Sequence, residues 1–143
     1  MPKPSGEWLD DDIGHYRAIG IDVIVSLLTE VEASELGLAD EKSICDAHGI
    51  EFLQLPIPDR GLPELAEFGS LVETTFRHIE IGKTVGVHCR AGIGRSGMLI
   101  CCVLKQAGLS ADEAVSRVSG ARGVQVPDTQ EQLAFIGKHN AQI

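Results

Sequence analysis

Positive charge and aromatic side chains are both scarce in this chain. Twelve basic residues stand against 21 acidic ones, a formal net charge of −9 over 143 residues. A field of that sign repels polyanions, which excludes nucleic acid and anionic membrane surfaces as partners. Aromatics make up only 4% of the residues, so the core falls to Leu, Ile, Val and Ala. No apolar run approaches the about 20 residues of a membrane span. Met1 is followed by Pro2-Lys3-Pro4-Ser5-Gly6 and acidic residues, where a secretory signal would place an apolar stretch. The four cysteines, Cys45, Cys89, Cys101 and Cys102, show no C-x-x-C spacing, and no cluster of His, Cys or carboxylate suggests zinc or a two-metal site. No metal or cofactor is called for. Together these absences predict a soluble chain of the reducing cytoplasm. Apolar residues at 43% and charged ones at 23% are ordinary globular usage, and the length predicts one domain over 1–143.

The most informative stretch is His88-Cys89-Arg90-Ala91-Gly92-Ile93-Gly94-Arg95-Ser96-Gly97. It places one cysteine, five loop residues and an arginine between an apolar strand-like segment and an apolar helix-like one. A loop of this size at a helix start can turn several N–H groups inward, from Arg90, Ala91, Gly92, Ile93, Gly94 and Arg95, and helix N-termini attract anions. The same field favours a thiolate at Cys89. Arg95 adds a planar two-pronged donor that matches phosphate oxygens. A lone cysteine in an apolar stretch is usually core, but three glycines and two arginines crowd this one. Gly92, Gly94 and Gly97 also fit the dinucleotide pattern G-x-G-x-x-G. That pattern should open a βαβ unit with an acidic residue about 20 positions on, whereas helical pattern follows here.

These residues resemble the signature of the cysteine-dependent protein phosphatases, specifically the small dual-specificity, kinase-associated type. Pro58-Asp59-Arg60-Gly61 upstream and Arg122-Gly123 downstream match as well, and the resemblance runs from Trp8 to the last helix. It implies a phosphomonoesterase acting on phosphotyrosine, phosphoserine and phosphothreonine through a phosphocysteine intermediate, with a phosphorylated protein or other phosphomonoester as partner. Cys89 would be the nucleophile, and Arg95 with the loop N–H groups would hold the phosphate oxygens. Asp59, on a loop between Pro56 and Pro63, would be the acid that protonates the leaving oxygen. As an alternative it is an ordinary turn aspartate. Glu64 is the fallback acid, although a first-turn helix position explains it. Ser96 would stabilise the leaving thiolate, with a helix cap as its bland role. His88 would organise the loop without exchanging protons with Cys89, because neighbours on a strand point to opposite faces.

Arg122 would lie near the site edge. Asp128 stands roughly where relatives carry a water-positioning glutamine, which is a departure from the pattern. Gln132 matches another family glutamine, and Gln130 would substitute if the register shifts by two. For each the bland reading is an exposed polar residue. Cys101 and Cys102 would pack in the core, with a protective disulfide to Cys89 as the less favoured role. Two other functions use a cysteine or an arginine in an anion loop. One is a rhodanese-like sulfurtransferase or arsenate reductase, which does not need Asp59. The other is a non-catalytic phospho-binding module, which needs neither the thiol nor the acid.

Periodicity predicts helices over 8–19, 30–38 and 39–47, another opened by Pro63, and further helices over 94–107, from Ser110 to about Ser119, and from Pro127 with Leu133, Phe135 and Ile136 inward. Strands are expected over 21–28, 51–55 and 84–88. This alternation predicts a three-layer α/β fold, a mostly parallel twisted sheet flanked by helices. The resemblance implies an N-terminus abbreviated relative to the family, with one sheet edge less well covered. Ligands in such sheets bind beyond the strand carboxyl ends, where Cys89 and Asp59 both fall.

Overall fold

A computed structural model describes residues 1–140. Among these residues seven helices and three strands follow in the order α1 (Leu9–Ala18), β1 (Val23–Ser26), α2 (Glu30–Glu35), α3 (Glu41–Ala47), β2 (Glu51–Gln54), α4 (Leu65–Glu80), β3 (Val85–His88), α5 (Arg95–Gln106), α6 (Ala111–Arg122) and α7 (Gln130–Lys138). The strands are parallel in the order β2-β1-β3, with Val23 opposite both Glu51 and Val85. Each strand is shorter than expected: β1 loses residues at both ends, β2 its last residue and β3 its first.

Every residue of β1 is buried, as a strand covered on both faces requires. Its side chains alternate between two cores. Val23, Val25 and Leu27 join Phe68, Met98, Leu99 and Ile136 beneath α4 to α7, whereas Ile24 and Leu28 join Leu9, Ile13 and Cys45 beneath α1 and α3. The expected three layers are therefore present. No strand precedes α1 among the described residues. The N-terminal segment instead runs beside β3, the outer strand, and the Met1 amino group donates to the Val87 carbonyl at 2.8 Å. No helix among the described residues is long and apolar enough to cross a membrane.

Helix ends follow capping side chains more closely than prolines. Glu64 is the cap of α4, and its two carboxylate oxygens accept the Ala66 and Glu67 N–H groups at 3.2 and 2.7 Å. Pro63 therefore precedes the helix, and Glu64 is a structural cap. Thr129 and Gln132 form a capping box that starts α7 two residues beyond Pro127. This rotates the helix so that Gln132 and Ile136 point inward while Leu133 is 38% exposed. α6 runs past Ser119 to Arg122 and ends at Gly123.

In a parallel sheet all strand carboxyl ends lie along one edge. The segments leaving β1, β2 and β3 lead respectively to Glu32, to Asp59, and to the Cys89–Arg95 loop. This edge carries the site.

Candidate active site

Cys89 follows β3 directly and is 3% exposed, seated in the same core cluster as Val87 and Leu99. The loop curls over it, and the Gly92 N–H donates to Cys89 Sγ at 3.2 Å. Gly92 has φ +75°, a left-handed conformation that disfavours any side chain. Arg122 supports the loop from outside, with Nη2 donating to the Ala91 carbonyl at 3.3 Å. Arg90 and Ala91 are exposed and Ile93 is half-buried.

Arg95 is the first residue of α5 and only 2% exposed. Both terminal nitrogens bind Glu32, Nη1 to Oε1 at 2.6 Å and Nη2 to Oε2 at 2.9 Å. Nη1 also donates to the Ile57 carbonyl at 2.8 Å, and Nη2 to Asp59 Oδ1 at 3.3 Å. This geometry revises how the expected phosphate fork is used. Glu32 occupies the end of the guanidinium, which leaves the Nε–H and the outer Nη2–H that Asp59 holds at long range as the edge for an anion. The hydrogen bond to Arg95 holds the Glu32 carboxyl at about 2, against the upward push of burial. Burial is the largest single influence and opposes the charge on Arg95, but Glu32 with the other acidic neighbours of the guanidinium raises the net value.

Asp59 lies in a tight turn in which the Gly61 N–H donates to the Pro58 carbonyl at 2.8 Å. Its side chain is 59% exposed and faces Arg95 from across the mouth. Arg60, next in the turn, has φ +60°, the one non-glycine residue in the left-handed region among the described residues. Its Nη1 donates to Asp128 Oδ2 at 3.0 Å.

Gln132 is fully buried, so its bland reading as an exposed helix residue is overturned. Its Oε1 accepts the Asp128 and Thr129 N–H groups, and its Nε2 donates to the Gly61 carbonyl at 3.2 Å. A Cβ on Gly94 would lie 2.8 Å from Gln132 Oε1 and 2.9 Å from the Asp128 Cβ. Asp128 and Gln132 thus touch both the Asp59 loop and the Cys89 loop. Gln130 is exposed and stays outside this contact.

Ser96 Oγ is buried without a hydrogen-bond partner among the described residues. Gly94 is the cap of α5 and no side chain caps it, which removes the helix-cap role for Ser96. His88 points away from Cys89 and toward α3. Its Nε2–H donates to Glu41 Oε2 at 2.7 Å with both side chains buried, and Nδ1 has no partner among the described residues. Cys101 and Cys102 are free and buried in the core, and burial pushes their thiols up to about 11 and about 12. That favours packing over redox partnership.

Three side chains of the site, Glu32, Arg60 and Glu41, are given no role by the sequence motifs. Glu32 carried a readable signal, the capping box Thr29-x-x-Glu32, but that signal speaks only of a helix start. Arg60 was visible in the Asp59 motif without an assigned role. Glu41 has no local signature, since its partner is 47 residues away.

A buried thiol under a loop N–H, a guanidinium edge and a carboxyl on a separate turn together suit nucleophilic displacement at a tetrahedral oxyanion. The family model described as Swiss Army Knife protein, DSP-PTPase phosphatase domain, matches residues 5–137. The chain belongs to this DSP-PTPase family. The DSP-PTPase domain is 32% identical over 147 residues to protein tyrosine phosphatase domain-containing protein 1 of Mus musculus, covering 95% of this chain and 19% of that protein. It is 22% identical over 129 residues to cyclin-dependent kinase inhibitor 3 of the same organism, covering 90% and 61%. The chain thus spans less than two thirds of the length of these two relatives. Among solved structures, kinase associated phosphatase with its catalytic cysteine replaced by serine superposes with a TM-score of 0.83 at 22% identity, covering 89% of this chain and 72% of that one. Tk-PTP in its active form gives 0.79 at 28% identity, covering 98% and 90%. PTPMT1 in complex with PI(5)P gives 0.78 at 21% identity, covering 96% and 85%. Family and fold together make this a phosphatase domain of the protein tyrosine phosphatase superfamily.

Proposed function

We propose that this DSP-PTPase domain hydrolyses phosphomonoesters through a phosphocysteine intermediate, with phosphotyrosine proteins as substrates and phosphoserine and phosphothreonine proteins as further ones. The observation that carries the reading is the contact of Asp59 with Arg95 across 36 residues, which brings a carboxyl to the mouth of the Cys89 loop. The Cys89 thiolate attacks phosphorus and the bond to the leaving oxygen breaks. Asp59 delivers the proton that this oxygen needs. Arg95, through Nε and Nη2, and the N–H groups of the loop from Arg90 to Arg95 hold the three equatorial oxygens. In the second step Asp59 takes a proton from water, whose oxygen attacks phosphorus as the S–P bond breaks. The Ser96 hydroxyl donates to the departing sulfur, and His88 and Gln132 are supports.

The chain would act as one domain in the reducing cytoplasm, where Cys89 stays a thiol. Two relatives carry a kinase in their names and one was solved with PI(5)P, so protein and lipid phosphomonoesters are the substrate classes to compare.

Hydrolysis of p-nitrophenyl phosphate tests the reading. Cys89→Ser should abolish it. Asp59→Ala should slow it by roughly 10²–10⁴, the usual contribution of a positioned acid. Thiosulfate or arsenate turnover without phosphate release would establish the sulfurtransferase or reductase alternative, and phosphopeptide binding with no turnover would establish a binding module.

A further inference from the structure

A cleft of about 870 Å³ opens beside the Cys89 loop. Its lining includes Ile93 of the loop, Arg60 of the acid turn, and Val124, Asp128, Glu131 and Leu133. Under the phosphatase reading, on which this inference rests, the leaving oxygen must face Asp59 to receive its proton. Whatever that oxygen belongs to therefore extends past Asp59 and Arg60 into this cleft.

The lining selects by chemistry. Val124 and Leu133, 43% and 38% exposed, give the cleft apolar surface together with Ile93. Two carboxylates, Asp128 and Glu131, belong to the same lining. The cation present, Arg60, is already bonded to Asp128 at 3.0 Å, and Glu131 has no cationic partner among the described residues. The other arginines at the mouth lie outside this lining. Arg90 faces Glu35 and Glu32 at 3.7 and 3.9 Å, and Arg122 donates to Ala91. In this cleft a second phosphate, carrying about −1.5 to −2 charges, would meet uncompensated Glu131 and would have to displace Asp128 to reach Arg60, the guanidinium of the lining.

We infer that the cleft is a substrate subsite for the polypeptide flanking the phosphorylated residue. It selects apolar or basic side chains and rejects a second phosphate near the scissile ester. A phosphoprotein fits this lining and a polyphosphorylated inositol lipid does not.

The test compares kcat/KM, by phosphate release, on phosphotyrosine peptides that share one core and carry leucine, arginine, glutamate or a second phosphotyrosine next to the phosphorylated residue. Short-chain PI(5)P and an inositol lipid bisphosphate are run beside them. Leucine and arginine flanks should exceed glutamate and doubly phosphorylated ones by roughly tenfold, the effect of two facing rim charges. Glu131→Lys should shrink or invert the arginine-to-glutamate ratio, and Leu133→Glu should lower the leucine-to-arginine ratio. Because each ratio is taken within one enzyme, losses in folding or turnover cancel. Equal rates across all flanks, or faster turnover of the bisphosphorylated lipid, overturn the subsite while leaving phosphatase activity intact. Absence of turnover on every phosphoester overturns both readings.

Discussion

Glu32 serves two structures at once. Its backbone and carboxylate complete the capping box at the start of α2, and the same carboxylate grips the end of Arg95. Because its pKa falls from 4.5 in the open chain to about 2 when folded, the stabilisation is fully present above about pH 4.5 and is lost as pH falls through about 2. A shift of that size corresponds to about 3 kcal/mol. Glu32→Gln should therefore lower unfolding free energy by about that amount near neutral pH, with the gap from the native protein narrowing below about pH 4.5 and closing only below about pH 2. Urea unfolding at both pH values measures it. A pH-independent difference would mean that lost packing, not charge, is responsible. The variant should also weaken phosphate competition, because the guanidinium loses the anchor that leaves its Nε edge free. Cys89, Arg95 and Ser96 could be read from the chain because their chemistry is packed into eight consecutive residues. Glu32 and Glu41 could not, since a capping glutamate and a helix-start glutamate have adequate local explanations.

Among the elements, the connection from α6 to α7 ties two loops together. Asp128 bonds Arg60, Gln132 bonds the Gly61 carbonyl, and both pack on Gly94. Holding Arg60 at φ +60° costs on the order of 1–3 kcal/mol, and the bridge to Asp128 offsets part of this. Asp128→Asn should loosen the acid turn. The expected result is a few-fold lower kcat/KM on p-nitrophenyl phosphate and a larger drop on phenyl phosphate, whose poorer leaving group depends more on the proton from Asp59. Exchanging the pair, Arg60→Asp with Asp128→Arg, should restore the ratio of the two rates, because aspartate tolerates the left-handed region better than most residues. A uniform loss on both substrates would assign Asp128 to substrate binding alone. Here the chain was partly readable. The helix start expected at Ser110 is where α6 begins, whereas Pro63 and Pro127 each precede the helix they are expected to open. Proline tolerates the first turn, but side chains that accept free N–H groups decide where the turn begins.

For the whole molecule, the sheet separates the site from half of the core. Ile13, on the inner face of α1, is completely buried in the core cluster that α1 shares with α3, separate from that of Met98 and Leu99. Ile13→Ala should destabilise the fold by about 2–5 kcal/mol, seen in urea unfolding, while kcat of the folded fraction stays at the native value. A parallel fall in kcat would show that the two faces are coupled. The alternation of strands and helices made the three layers legible, since buried parallel strands and amphipathic helices each have their own period. What the amino-acid order determined unaided was the anion loop itself, Cys89 to Arg95, because neighbours along the backbone stay neighbours in any fold. Only the tertiary structure decided which carboxylates answer Arg95. Glu32 and Asp59 lie 63 and 36 residues away, and they meet it because parallel pairing brings the carboxyl ends of all three strands to one edge.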